Sequence, residues 1–343
     1  MNTRDLETTM NQLAVKGKGI LAADESAATI TKRLAAVNTE STEETRRAYR
    51  DLLITTPNLS QYIAGVILHE ETLLQKTLDG TLFPEKLKSL GILPGIKVDK
   101  GLTILSNTAD EQVTQGLDGL AERLASYKVK GACFAKWRAV YTISANTPSR
   151  LAIKTNAEGL ARYAADCQIN GIVPIVEPEI LIDGDHTLEQ CAEVTERVLH
   201  AVFNALFKHK VKLEYMVLKP SMVINGKKCS TKATAEQVAR ATLTILRRTV
   251  PAAVPTINFL SGGQTPEEAT ANLNAMNVLS PQLPWNLSYS YARALQEYPM
   301  KIWHGDKNNI KAAQHAFFER VKLNSLAAVG KYTVSMEKEV SVA

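Results

Sequence analysis

Short apolar runs that end in a polar residue recur along this chain, and each is followed by a longer segment with helical periodicity. Residues 19–24 (GILAAD) and 215–220 (YMVLKP) are two examples. Eight runs of this kind occur, at residues 19–24, 64–70, 95–101, 132–138, 171–179, 215–220, 256–263 and 285–291. Short buried runs that alternate with helices are typical of βα units, in which helices cover both faces of a parallel sheet.

The segments between the runs show the three- and four-residue apolar spacing of amphipathic helices. This spacing is clear in EETRRAYRDLLITT (43–56) and AEQVARATLTILRRTV (235–250). A further helix is predicted to start at Thr265 as N-cap, with Pro266 at N1 and Glu268 at N3 completing a capping box. Eight βα units in about 300 residues favour a single-domain α/β fold, a (β/α)8 TIM barrel.

An open doubly wound sheet is the alternative architecture for alternating strands and helices. Such a sheet usually carries a glycine-rich phosphate-binding turn after its first strand. Here that turn reads AADESAAT (22–29), and the chain contains no G-x-x-x-x-G-K-[ST] motif. The barrel is therefore the better interpretation.

Composition excludes several classes of protein. The chain has 343 residues, of which 45% are hydrophobic and 22% charged, with a net charge of +5. We expect no nucleic-acid partner, because the basic residues form no stripe or tail. We expect no membrane association, because the longest apolar run is about seven residues, against the ~20 needed to span a bilayer. The polar N-terminus does not resemble a secretory signal.

Cysteine and histidine positions argue against disulfides and against a metal site. The cysteines show no C-x-x-C spacing, which favours free thiols in a reducing cytoplasm. The histidines are scattered without the spacing of metal ligands. The cysteines are Cys133, Cys167, Cys191 and Cys229, and the histidines are His69, His186, His200, His209, His304 and His315.

Polar and charged residues stand at the ends of most predicted strands. In a (β/α)8 barrel the carboxyl ends of all strands meet at one mouth, where active sites form. A single charged residue at a strand end is commonly just where the chain reaches water, or it is one half of a structural ion pair. Charged residues at the ends of several strands around one mouth indicate a functional site instead. The residues are Asp24, Lys97, Asp99, Lys136, Arg138, Glu177, Glu179, Lys219, Ser261, Gly262, Gly263 and Arg293.

These residue types suit carbon–carbon bond chemistry at a ketone. A partly desolvated lysine amine can attack a ketone to form a Schiff base, and the protonated imine then stabilises a neighbouring carbanion. Lys219 is the best candidate nucleophile, because its run is apolar up to the lysine. Lys136 would be the neighbouring cation, Glu177 the general acid/base for the carbinolamine, and Asp24 the base for a substrate hydroxyl.

A phosphate site is predicted beside this group. The turn FLSGGQ (259–264) presents backbone N–H groups where a helix begins, after the seventh predicted strand. The loops after strands seven and eight are the recurrent phosphate site of such barrels. Arg293 could add a guanidinium to the same anion, and Arg33 could approach it from the first loop.

Several motifs, in order along the chain, resemble class I fructose-1,6-bisphosphate aldolases. They are GILAADES, GIKVDKG, FAKWR, GIVPIVEPEIL, VLKPSMV, FLSGGQ and NSLAAVGKY, and the resemblance runs from about residue 5 to about residue 333. The resemblance implies a homotetrameric, metal-independent barrel that needs no cofactor. It implies reversible cleavage of fructose 1,6-bisphosphate, in glycolysis and gluconeogenesis, to dihydroxyacetone phosphate and glyceraldehyde 3-phosphate. Phosphorylated sugars would be its partners.

The resemblance also assigns roles residue by residue. Lys219 would carry the Schiff base, Asp24 would handle the C4 hydroxyl proton, and Lys136 and Glu177 would transfer protons, with Glu179 tuning that pair. The loop residues Ser261 and Gly262, next to Gly263, would hold the C1 phosphate together with Arg293. The residues implied near the C6 phosphate are Ser26, Thr29, Arg33, Lys97 and Arg138.

This chain departs from the family pattern in three places. Ala28 and Thr29 replace a glycine and a serine of the first loop, and Ala292 replaces a glycine near the phosphate, which limits the backbone there to negative φ. Many family members end in a tyrosine that assists proton exchange on the bound triose. Here the chain ends SMEKEVSVA, and its last tyrosine is Tyr332. We expect proton exchange on the triose either to run without a tyrosine or to be slower, and we expect a flexible tail over residues 334–343 after a barrel domain of residues 1–333.

Two other functions remain open from the residues alone. A transaldolase-like Schiff-base enzyme would use the same lysine with one phosphate site fewer. A phosphate-binding barrel without catalysis would act as a scaffold.

Overall fold

The computed structural model describes residues 3–337 and contains a closed barrel of eight parallel strands. Each of the eight apolar runs supplies one strand. The strands are β1 (Gly19–Ala23), β2 (Ile63–Leu68), β3 (Leu93–Lys97), β4 (Phe134–Tyr141), β5 (Val173–Ile180), β6 (Val217–Leu218), β7 (Thr256–Phe259) and β8 (Asn286–Tyr291).

The barrel closes because the first strand pairs with both the second and the last. Ile20 of β1 lies opposite Gly65 of β2 on one side and opposite Ser290 of β8 on the other. Every strand between them pairs with its sequence neighbour. The predicted single-domain (β/α)8 TIM barrel is confirmed.

Helices surround the barrel, and most of them begin with a side-chain cap. The predicted capping box at Thr265, Pro266 and Glu268 is present. The helices of residues 3–337 are α1 (Thr3–Leu13), α2 (Ala27–Ala35), α3 (Glu43–Ile54), α4 (Glu70–Leu74), α5 (Phe83–Ser89), α6 (Leu120–Val129), α7 (Arg150–Ile169), α8 (Leu188–Lys208), α9 (Ala235–Thr249), α10 (Pro266–Leu279), α11 (Arg293–Trp303) and α12 (Ile310–Ala327). None of them is long and apolar enough to cross a membrane.

Two cores hold these layers together. The larger lies between the barrel wall and the surrounding helices. The smaller fills the barrel, where Ile20, Phe134 and Val173 pack with Leu6 and Met10 of α1, so that α1 closes the amino end of the barrel. A Cβ on Gly95 would lie 2.2 Å from the ring of Phe134, so only glycine fits beside that ring.

An antiparallel hairpin, Leu102–Ile104 with Gln112–Thr114, follows β3 and is absent from the sequence prediction. The hydroxyl of Thr114 donates to the carbonyl of Arg138 at 2.7 Å, which ties this hairpin to β4. The hairpin thus lies against the wall of the barrel mouth.

The start of the predicted tail is described, and the rest is not. Val334–Met336 form a 3-10 turn, and Glu337 pairs with the fully buried Arg320 of α12. Tyr332 is buried, and its hydroxyl donates to Glu337. Residues 338–343 lie outside the described residues, so flexibility of residues 334–343 stays a prediction.

Candidate active site

Strand alternation places the predicted catalytic side chains in the barrel mouth. On β5, Val173 and Ile175 pack inside the barrel while Val176 packs outside. Successive side chains of a strand point to opposite faces, so Glu177 continues the inward row. Val217 and Lys219 repeat this pattern at β6. The two residues therefore meet inside the barrel rather than under the helices.

Lys136 links two carboxylates at the centre of this mouth. Its Nζ lies 2.7 Å from Oδ2 of Asp24 and 3.4 Å from Oε2 of Glu177. The Nζ of Lys219 lies 3.1 Å from Oε1 of the same Glu177. All four side chains are buried, so the ion pairs are shielded from water. A buried amine and an acid/base group are thus in direct contact.

This arrangement fixes the charges of two members. Burial by itself would raise the pKa of Asp24, but the positive charges of Lys136 and Lys219 lower it well below its usual value. Burial alone would lower the pKa of Lys136, but the charges of Asp24 and Glu177 raise it above its usual range. Asp24 is therefore held as a carboxylate and Lys136 as an ammonium ion.

A second layer of ion pairs surrounds the centre. Arg138 pairs with Glu179, and although burial opposes it, this charge raises the pKa of the guanidinium further. Lys97 donates to a carboxylate oxygen of Asp99 at 2.6 Å and to its carbonyl at 2.8 Å. Glu179, predicted to tune the central pair, thus contacts Arg138 directly.

The predicted phosphate turn follows β7. The N–H of Gln264 donates to the carbonyl of Ser261 at 3.0 Å, which closes a turn around two glycines with positive φ, Gly262 at 53° and Gly263 at 86°. Only glycine adopts such angles readily. Ala292, ahead of α11, has φ −104°, which its methyl group allows. The substitution for glycine is compatible with this backbone.

A cavity of about 680 Å³ occupies the mouth of the barrel. All the predicted site residues except Gly263 line it, which are Asp24, Ser26, Thr29, Arg33, Lys97, Lys136, Arg138, Glu177, Glu179, Lys219, Ser261, Gly262 and Arg293. A Cβ on Gly263 would instead face Lys227 and Ile182. That Gly263 contacts substrate stays a prediction.

Sequence reasoning missed other members of the lining. Glu25, Lys32, Leu102 and Ser290 also face the cavity. Glu25 is buried and pairs with Arg33 and with Arg50, which lies behind the wall. The apolar runs point only to strand ends, so a carboxylate one residue further along gave no signal.

The described residues offer no metal centre. Within residues 3–337, no group of three or more histidine, cysteine, aspartate or glutamate side chains could hold an ion. The site has what imine chemistry requires: a buried amine in contact with a carboxyl group, a carboxylate held ionised, and cations for phosphate groups.

Comparisons with known proteins agree with this geometry. The family model described as fructose-bisphosphate aldolase class-I matches residues 5–342. Fructose-bisphosphate aldolase 6, cytosolic, of Arabidopsis thaliana is 58% identical over 320 residues, which cover 93% of this chain and 89% of the relative. The fructose-bisphosphate aldolase of Dictyostelium discoideum is 56% identical over 332 residues, which cover 96% of this chain and 93% of the relative.

A solved structure is similar as well. The fructose-bisphosphate aldolase of Plasmodium falciparum, in a ternary complex with TRAP and a small-molecule inhibitor, superimposes with a TM-score of 0.95. It is 50% identical, and the match covers 96% of each chain. The chain therefore belongs to the class I fructose-bisphosphate aldolase family.

Proposed function

We propose that this protein is a cytoplasmic aldehyde-lyase that cleaves fructose 1,6-bisphosphate reversibly to dihydroxyacetone phosphate and glyceraldehyde 3-phosphate. The proposed nucleophile is the amine of Lys219. It attacks the ketone carbon of the open-chain sugar and forms a carbinolamine. Glu177, 3.1 Å from the amine, accepts the proton that Lys219 gives up on attack and returns it to the departing hydroxyl, so that water leaves and the protonated imine forms.

Cleavage then follows at the next carbon–carbon bond. The carboxylate of Asp24 accepts the proton of the C4 hydroxyl, the bond between C3 and C4 breaks, and its electron pair moves into the protonated imine. The aldehyde leaves, and the enamine stays on Lys219. The low pKa of Asp24 keeps it ionised, which a proton acceptor requires, and Lys136 balances its charge. Protonation of the enamine and hydrolysis of the imine release the ketose fragment.

Two groups of cations and N–H donors would hold the two phosphates. The turn at Ser261 and Gly262, with Arg293, suits the C1 phosphate, since Arg293 has no carboxylate partner within residues 3–337. Arg33, which follows β1, and Lys97, at the end of β3, line the same cavity and suit the C6 phosphate. Ser26, Thr29 and Arg138 lie in the same cavity and complete the second group.

The observation that carries the proposal is the contact between the buried amine of Lys219 and Glu177. It is tested by incubating the protein with dihydroxyacetone phosphate and a chelator, reducing with borohydride, and locating the modified peptide by mass spectrometry. We expect a reduced adduct on Lys219 alone. The exposed Lys100 provides a matched control, since Lys100→Met should still trap and Lys219→Met should not.

Absence of an adduct from folded wild-type protein would contradict the Schiff-base mechanism. An adduct that persists in Lys219→Met would assign the nucleophile to another lysine. Substrate profiling separates the transaldolase-like alternative, because a bisphosphate aldolase should prefer the sugar with two phosphates.

We further propose a homotetramer. Three exposed apolar side chains at the ends of successive packed helices support an interface: Val129 of α6, Ile169 of α7 and Phe207 of α8, which are 89%, 73% and 81% exposed. Exposed apolar patches commonly mark protein contacts. Phe207→Glu should yield a smaller particle by sedimentation, whereas the same size distribution as wild type would exclude these side chains from the interface.

The names of two relatives support the proposed cytoplasmic location. The Arabidopsis and spinach relatives are named cytosolic and cytoplasmic.

A further inference from the structure

A buried arginine lies directly behind the first loop of the mouth without lining the cavity. Arg50, on α3, is 2% exposed. Its Nε donates to the carbonyl of Ala23 at 2.8 Å, and its Nη2 lies 2.8 Å from Oε2 of Glu25. Ala23 is the last residue of β1, so the guanidinium is anchored to the barrel wall. A planar guanidinium held at two points has little freedom to rotate.

Glu25 connects this anchor to the cavity. Its Oε2 faces Arg50, while its Oε1 accepts a hydrogen bond from Nη1 of Arg33. The side chain of Glu25 is 3% exposed, and that of Arg33 is 20% exposed and borders the cavity. Within residues 3–337, Arg33 donates only to Glu25, which leaves its Nε and Nη2 for a ligand.

We infer that Arg50 is a positioning residue for the substrate phosphate that Arg33 holds, acting through Glu25. This inference rests on the proposed function. The order of contacts runs from the β1 carbonyl to Arg50, then to Glu25 and to Arg33. An arginine loses much rotational freedom when it binds phosphate, and a partner that fixes it beforehand reduces that cost. Without Arg50, Oε2 of the buried Glu25 would lose its ion-pair partner, and Glu25 would hold Arg33 less firmly.

The consequence is specific to one end of the substrate. Fructose 1-phosphate has the reacting carbons and the C1 phosphate but lacks the phosphate assigned to Arg33. Loss of Arg50 should therefore impair the bisphosphate far more than the monophosphate. A merely structural role would lower activity on both sugars alike, because both use the same catalytic centre.

Arg50→Lys is the variant of choice, because it retains the charge but cannot reach both Ala23 and Glu25 with a planar fork. We expect kcat/KM for fructose 1,6-bisphosphate to fall about tenfold, mainly through KM, as for a weakened charged hydrogen bond. For fructose 1-phosphate we expect kcat/KM to change by less than about twofold, as for substitutions that touch no part of the bound substrate. Arg47→Lys on the same helix is the matched control, since Arg47 pairs with the exposed Glu44.

A double-mutant cycle tests the route through Arg33. In an Arg33→Ala background, Arg50→Lys should have no further effect on the ratio of kcat/KM for the two sugars. Glu25→Gln should reproduce the loss of kcat/KM for the bisphosphate that is expected of Arg50→Lys. If Arg50→Lys does not fold, Glu25→Gln tests the inference in its place.

Three results would overturn the inference. They are an equal loss on both sugars, independent effects of Arg50→Lys and Arg33→Ala, and an unchanged ratio in Glu25→Gln. Wild-type protein that cleaves neither sugar would overturn the proposed function itself, and the inference with it.

Discussion

The pair formed by Asp24 and Lys136 permits a quantitative test of the charge balance in the barrel mouth. At 2.7 Å, two unit charges attract by about 6 kcal/mol at an effective dielectric constant near 20, and most of this is offset by the cost of burying both ions. Removal of one partner leaves the other buried without compensation. We expect Lys136→Met to lower the free energy of unfolding by about 3–5 kcal/mol.

Asp24→Asn should cost less, about 1–3 kcal/mol, because Lys136 keeps its contact with Glu177 at 3.4 Å. The double variant removes both charges together, so its cost should be smaller than the sum by about 2 kcal/mol. Urea unfolding followed by tryptophan fluorescence and circular dichroism measures all four proteins. Additive costs, or a Lys136→Met protein as stable as wild type, would refute the reasoning.

The pH dependence gives a second check on the same pair. The pKa of Asp24 is lower in the folded protein than its usual value of 3.8, so ionised Asp24 stabilises the fold above that value. This contribution is lost as the pH falls through the lower folded-state pKa. In Lys136→Met burial remains while the main opposing charge is gone, so the pKa of Asp24 should rise. The difference in free energy of unfolding between wild type and Lys136→Met should then decrease as the pH falls from about 7 to about 4.

Three further variants probe the phosphate turn and the C-terminal segment. Arg293→Ala should raise KM for the bisphosphate about tenfold with a smaller change in kcat, measured by steady-state kinetics. Gly263→Ala should destabilise more than Gly80→Ala by thermal unfolding, because both have φ near 86° but only Gly263 has side chains within 3.2 Å of a new Cβ; equal shifts would exclude that clash. Arg320→Met should cost about 1–3 kcal/mol in urea unfolding, because the carbonyl of Pro266 and the hydroxyl of Thr270 lose a fully buried donor, and an unchanged stability would contradict this.

Strand positions and the mouth residues were predictable because both follow from short-range pattern. An apolar run with a charged residue at its end marks a buried strand and its exit, which is why Asp24, Lys136, Glu177 and Lys219 could be named together. The strand bounds were less predictable: β6 is only two residues long, since Pro220 has no N–H for a ladder.

Contacts between distant segments could not be predicted in this way. Arg50 reads as one more charge on an amphipathic helix, and only packing against β1 reveals that it is buried. The hairpin after β3 was missed because its strands have three residues each, too few to show alternation. Whether Gly263 faces the cavity depends on the geometry of the turn, which the triplet Ser-Gly-Gly does not specify.

Closure of the barrel between β1 and β8 has a consequence for biosynthesis. Until residues 286–291 have left the ribosome, β1 has a partner on one side only. The other open edge is the strand made last, which is finally β7. Unpaired strand edges invite pairing with other chains. The nascent chain therefore has two unpaired strand edges for most of its synthesis. Arg293 can join Asp24 at the mouth only after the last strand has paired. Incomplete chains should accordingly be both inactive and prone to aggregate, which makes late chaperone release advantageous for this fold.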